Sequence, residues 1–208
     1  MLDGMMRKVI DPVVNRWGRA LAAQGWTAEE MTLLGLALGL ASAVMLALGL
    51  PGGLALLPLL AGRVADGLDG AIARAGQKTD FGGFLDIVAD FLFYGAVPFA
   101  FAWANPEANA LAASFLLLSF YVNAASFLGY AVLAEKRGMQ TAARGEKSLY
   151  FTAGLLEGSE TILFFAAICW WPGAFAPLAW GFGGLCLVTA AARVVLARRV
   201  FAGAAHQP

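Results

Sequence analysis

The stretch Val64–Asp90, VADGLDGAIARAGQKTDFGGFLDIVAD, holds five aspartates (Asp66, Asp69, Asp80, Asp86 and Asp90) in a chain that is 60% hydrophobic and 13% charged. Soluble domains carry about 25% charged residues, so charge is scarce here and concentrated in one place. Around this stretch, apolar tracts at about 32–50, 53–73, 82–103, 109–133, 149–171 and 175–196 are each long enough to cross a hydrocarbon core of about 30 Å. The aspartates therefore sit in or beside the second and third tracts. The expected fold is an all-α membrane protein with six transmembrane helices, a single domain over 1–208 whose helical core spans 32–196.

The first 26 residues precede these tracts. Asp3, Arg7, Lys8, Asp11, Arg16 and Arg19 interrupt any apolar run there, which argues against a cleavable signal. Val9, Ile10, Val13, Val14, Trp17 and Leu21 recur at helical spacing, as in an amphipathic helix lying on a membrane surface. A solvated helix packed on the domain fits the same pattern.

Basic residues set the orientation. They occur before the first span, at Arg74 and Lys78, at Lys136, Arg137, Arg144 and Lys147, and at Arg193, Arg198 and Arg199. The loops at Pro51, Asn105–Pro106 and Pro172–Gly173 carry none. The positive-inside rule then puts both termini in the cytoplasm. Nothing in the pattern points to a nucleic-acid partner. Cys169 and Cys186 lie in separate apolar tracts without metal-ligand spacing and read as core residues.

Asp66 and Asp69 are three apart and Asp86 and Asp90 four apart, so each pair shares a helix face. The short link between their helices predicts antiparallel neighbours whose four carboxylates converge in the inner leaflet. An Asp at the centre of a membrane helix costs about 2.5–3.5 kcal/mol, or about 10–14 kcal/mol for four. Two divalent cations match that charge, and an all-oxygen ligand set suits Mg²⁺ or Mn²⁺. Paired metals stabilise the attacking and leaving oxygens of a phosphoryl displacement. Gly67, Gly70, Gly82, Gly83 and Ala73 leave room beside the carboxylates, and Arg74 offers a forked donor for a diphosphate.

The run Asp66-x-x-Asp69-Gly70-x-x-Ala73-Arg74, followed by Gly82-x-x-x-Asp86-x-x-x-Asp90, resembles the signature of the CDP-alcohol phosphatidyltransferase family. The resemblance implies a homodimeric six-helix enzyme that moves a phosphatidyl or related phosphoalcohol group from a CDP-linked donor to an alcohol, releasing CMP. It also implies that Asp66, Asp69, Asp86 and Asp90 bind two divalent metals, that Asp90 is the base, and that Gly70, Ala73, Arg74 and Gly82 cradle the CDP group. Two features depart from the family pattern. Seven residues separate Arg74 from Gly82 instead of eight, and TAEEMT (Thr27–Thr32) stands where a Pro-Asn pair is common. The one histidine, His206, lies in the polar tail, so a carboxylate must serve as base.

Outside the motif, Arg144 and Lys147 are placed to bind a phosphorylated acceptor, glycerol 3-phosphate being the leading choice. Topology alone also accounts for these two cations. Counting 1.5 Å per residue puts Arg63 at a depth similar to Glu157 and Glu160, which predicts an ion pair between them; a role for the glutamates at the acceptor is the alternative. Asp80 reads as a cap or turn residue. The alternative functions are an intramembrane prenyltransferase and an ion or proton transporter built on the buried carboxylates. Synthesis of a phospholipid from a CDP-linked donor at the cytoplasmic face of a bacterial inner membrane is the expected setting.

Overall fold

The computed structural model describes residues 3–76, 78–139 and 158–202, with residues 3–10 described by their backbone alone. The described residues form helices α1 (Asp3–Ala23), α2 (Ala28–Ala47), α3 (Gly52–Ala75), α4 (Asp80–Ala104), α5 (Pro106–Lys136), α6 (Gly158–Trp170) and α7 (Phe175–Phe201). A 3₁₀ turn, Pro172–Ala174, leads into α7.

Local chemistry sets the boundaries. Thr27 caps α2 through a reciprocal box: its Oγ1 accepts from the Glu30 amide at 3.2 Å, and Glu30 Oε2 accepts from the Thr27 amide at 2.9 Å. This box starts the helix four residues before the apolar tract does, because Glu29 and Glu30 satisfy its first turn at the cost of hydropathy. Gly49, at φ +72°, makes the turn after α2, where a side chain would be strained. Thr79, not Asp80, caps α4, its Oγ1 accepting from the Gly82 amide at 2.9 Å. Asn105 caps α5, with Pro106 in its first turn.

By length and composition, four helical segments among the described residues can cross a membrane: Ala28–Ala47, Asp80–Ala104, Pro106–Lys136 and Pro172–Phe201. The charges of Arg63, Asp66, Asp69 and Arg74 keep α3 out of this group, although Leu54, Leu57, Leu60 and Val64 give it an exposed apolar stripe. Helix α6 is described over 13 residues, and the expected start of its tract, 149–157, lies outside the described residues.

The helices form two packing groups that are joined where α4 meets α5. Helix α2 packs against both α3 and α4, and α5 packs against α7. The first group relies on glycine. A Cβ on Gly35 would stand 3.0 Å from the Gly62 carbonyl oxygen, and one on Gly62 would stand 2.8 Å from that of Gly35. One turn along α2, a Cβ on Gly39 would meet the Phe93 ring of α4 at 2.5 Å. This spacing, Gly35-x-x-x-Gly39, lets helix backbones approach closely where burial of apolar surface offers no driving force. In the second group, Arg193 of α7 donates to Asn123 and Ser126 of α5. Arg137, just after α5, donates to the Val200 and Phe201 carbonyls at the end of α7.

Helices α3 and α4 are consecutive and joined by a short link, yet they make few contacts with each other. The expectation of close antiparallel neighbours is corrected here: α2 serves as their common support. The space between α3 and α4 is spanned by side chains. The N-terminal α1 runs against α3, where a Cβ on Gly18 would stand 2.5 Å from the Ala71 Cβ. Leu21 and Ala22 join Met31, Ala65 and Ile72 in a small apolar cluster. Helix α1 is thus docked on the bundle.

Candidate active site

Asp66 and Asp69 come from consecutive turns of α3, and Asp86 comes from the second turn of α4. One carboxylate oxygen from each lies within 4.8 Å of the other two. Three carboxylates so close, with Asp69 only 7% exposed, would repel one another strongly where the dielectric is low unless a cation joined them. An all-carboxylate donor set of this kind fits a hard divalent cation such as Mg²⁺ or Mn²⁺.

Asp69 is held by a residue that the sequence reading had not singled out. Thr32 of α2 is buried, and its Oγ1 lies 2.6 Å from Asp69 Oδ2. The same hydroxyl lies 3.0 Å from the Ala28 carbonyl, so its single proton is shared between two acceptors. A sequence clue to this region existed, since Thr27-x-x-Glu30 is a capping-box signature. It fixes α2 to start early enough for Thr32 to occupy its second turn. Glu29, beside the box, accepts from Thr79 Oγ1 at 2.8 Å and ties the start of α2 to that of α4.

Asp90 lies one turn further along α4, and its carboxylate is engaged by Arg63. Arg63 Nη1 donates to Asp90 Oδ1 at 2.8 Å and stands 3.2 Å from Asp66 Oδ1. The expected pairing of Arg63 is therefore corrected for Glu160. Equal depth was a poor guide, because Asp66 is one turn away on the same helix and Asp90 faces it from α4. Glu157 lies outside the described residues. The Arg63 side chain is only 7% exposed, and its guanidinium carbon sits 4.2 Å from the centre of the Phe93 ring.

The expected CDP contacts follow Asp69 toward the end of α3. Arg74 is exposed, and both Nε (3.3 Å) and Nη2 (2.9 Å) donate to Asn15 Oδ1 of α1. Gly70 accommodates this arginine: a Cβ there would stand 3.2 Å from Arg74 Nη1. Ala73 is half-buried on the same helix. Gly82 lies in the first turn of α4, where a Cβ would crowd Thr79 Oγ1 at 2.8 Å. A Cβ on Gly67 or Gly83 would meet nothing within 4 Å, so both border open space. Arg144 and Lys147 lie outside the described residues. Lys136 is in the last turn of α5, and Arg137 is committed to the α7 carbonyls.

The comparisons with known proteins agree with this constellation. Residues 26–196 match the family described as CDP-alcohol phosphatidyltransferase. Inner membrane protein YnjF of Escherichia coli (strain K12) is 46% identical over 194 residues, covering 93% of this chain and 94% of that protein. Archaetidylinositol phosphate synthase of Pyrococcus horikoshii is 31% identical over 177 residues, covering 82% of this chain and 91% of the relative. The crystal structure of Mycobacterium tuberculosis phosphatidylinositol phosphate synthase with CDP-DAG bound shares the fold, with a TM-score of 0.72 at 20% identity, over 95% of this chain and 100% of that one. The chain belongs to the CDP-alcohol phosphatidyltransferase family and is an integral membrane enzyme of that class.

Proposed function

We propose that the protein transfers a phosphatidyl group from CDP-diacylglycerol to a small phosphorylated alcohol and releases CMP. The observation that carries this reading is the meeting of Asp66, Asp69 and Asp86 in the space between α3 and α4, with Asp90 one turn away. The reading is supported by the CDP-DAG in the Mycobacterium tuberculosis structure and by the phosphorylated product for which the Pyrococcus relative is named.

In this reading the whole chain is one domain and helices α2 to α7 make six crossings. Arg74 and Lys78, Lys136 and Arg137, and Arg198 and Arg199 all lie at the ends of helices that run in the same direction, or just beyond them, which supports a cytoplasmic active site and cytoplasmic termini. The name of the Escherichia coli relative supports a bacterial inner membrane. A homodimer is proposed from the resemblance alone.

Asp66, Asp69 and Asp86, joined by Asp90, would hold two divalent cations, Mg²⁺ or Mn²⁺; when bound, these supply charge neutralisation of the diphosphate. Gly70, Ala73 and Gly82 leave space for the CDP group, and Arg74 leaves Asn15 to bind its phosphates. Asp90 takes the proton from the acceptor hydroxyl. The freed oxygen attacks the lipid-bearing phosphorus, the bond to the bridging oxygen breaks, and CMP departs with the charge that Arg74 helps to offset. Arg144 and Lys147 would hold the acceptor's own phosphate.

The test is to incubate purified protein with CDP-diacylglycerol, Mn²⁺ or Mg²⁺, and a panel of alcohols led by glycerol 3-phosphate and inositol phosphates. CMP release matched by a new lipid with one acceptor is the expected result, and silence across the panel would sink the reading. Removing divalent ions with EDTA should bring CMP release to background, and readdition of Mn²⁺ should restore it. Thr32→Val keeps the shape but deletes the donor to Asp69. It should weaken Mn²⁺ binding about tenfold, as the loss of a group that orients a metal ligand does, read by titration with the spin resonance of free Mn²⁺.

A further inference from the structure

The buried Arg63 guanidinium is shared between a carboxylate of the three-aspartate cluster and the carboxylate next to it. One nitrogen, Nη1, reaches Asp90 at 2.8 Å and Asp66 at 3.2 Å. The Tyr94 hydroxyl also faces the guanidinium. Arg63 Nε is buried with no hydrogen-bond partner, and the Phe93 ring covers the guanidinium at 4.2 Å. A guanidinium stays charged at any accessible pH, and separating a buried cation from its anionic partners is costly. The opening between Asp66 and Asp90 is thus occupied by a positive charge belonging to the protein itself.

From this we infer that Arg63 is a resident cation that competes with a divalent ion for Asp66 and Asp90, so that the site fills in two unequal steps. The proposal rests on the metal-dependent reading above. The first ion goes to the Asp66, Asp69 and Asp86 oxygens, drawing Asp66 from its longer contact with Arg63. The second requires the Asp90 carboxylate to turn from Arg63, and this displacement makes its binding weaker. Arg63 acts on the reaction through Asp90 and Asp66 and is a positioning residue. Its geometry favours this role: Gly39 lets α2 pass close to Phe93, Phe93 is wholly buried beneath the guanidinium, and Gly62 sets the α3 backbone beside α2 immediately before Arg63.

The test is a Mn²⁺ titration of the full-length protein in detergent, followed by electron paramagnetic resonance. Wild type, Arg63→Gln, Arg63→Lys, Asp90→Asn and the Arg63→Gln/Asp90→Asn double variant would be compared. Wild type should bind two ions with separated affinities. Arg63→Gln should tighten the weaker step about tenfold, within the usual range for linked binding, and Arg63→Lys should fall between the two. In the Asp90→Asn background the same substitution should change the weaker step less than about twofold, because the oxygen contested at that step has lost its charge. Equal titrations for wild type and both folded Arg63 variants overturn the proposal, as does a gain that persists without Asp90. If Arg63→Gln is not monodisperse, Arg63→Lys decides alone by the same comparison. A wild-type protein that binds no Mn²⁺ overturns the metal-dependent reading itself, which separates the two failures.

Discussion

The Asp90→Asn protein should turn over CDP-diacylglycerol at roughly a thousandth of the wild-type rate, the middle of the range for removing a positioned general base. Its affinity for the donor should change far less. The substitution keeps the side chain's shape, and its remaining oxygen can still accept from Arg63 Nη1, which reaches Asp90 at 2.8 Å, so the join between α3 and α4 survives. What it loses is the ability to take a proton from the acceptor hydroxyl, and among the described residues the neighbouring carboxylates, Asp66, Asp69 and Asp86, are the proposed metal ligands. Thr32 is occupied with Asp69. Single-turnover CMP release and equilibrium binding of a CDP-lipid, measured on the same preparation, separate the two effects. An Asp90→Asn enzyme at one-tenth of wild-type activity would remove Asp90 from the role of base.

The second large effect is on assembly. Gly62→Ala should lower the melting temperature in detergent by about 5 °C, the shift that follows from an overpacking cost of about 1–3 kcal/mol in a chain of this size. The added methyl would stand 2.8 Å from the Gly35 carbonyl oxygen and 3.2 Å from the Gly39 nitrogen. Both are backbone atoms of α2 and cannot turn aside as a long side chain would. The helices must separate, and Arg63, the next residue, moves with them. Activity should therefore fall together with stability. Gly53→Ala is the matched control: a Cβ there meets nothing within 4 Å, so its melting temperature should stay level or rise slightly. Equal melting temperatures for the two variants would show that α2 and α3 do not meet at these glycines.

The sequence carried the candidate site further than it carried its supports. Aspartates at three- and four-residue spacings on helices already share faces, so the meeting of Asp66, Asp69 and Asp86 follows once two helices are read. What holds them depends on contacts distant along the chain. Thr32 lies 37 residues from Asp69, and Asn15 lies 59 from Arg74, so neither pairing leaves a mark in local periodicity. The shared packing of α3 and α4 on α2 was hidden for a related reason. Membrane helices are apolar all round, so hydropathy finds them without revealing which neighbour each prefers. Only the small residues at Gly35, Gly39 and Gly62 carry that information. Arg63 meets Asp90 and Asp66 in place of Glu160 because depth along a helix constrains one coordinate and leaves the direction of the side chain open.

The contact between Arg63 and Asp66 has a consequence for biosynthesis. The two residues are one turn apart on the same helix, 3.2 Å between nitrogen and oxygen, so the pair needs no other part of the fold in order to form. In the six-span reading, α3 would carry its own counterion into lipid. Part of the penalty for moving acid into hydrocarbon would thus be cancelled before α4 has been made. The arginine proposed to compete for the site would first help the acids enter the bilayer.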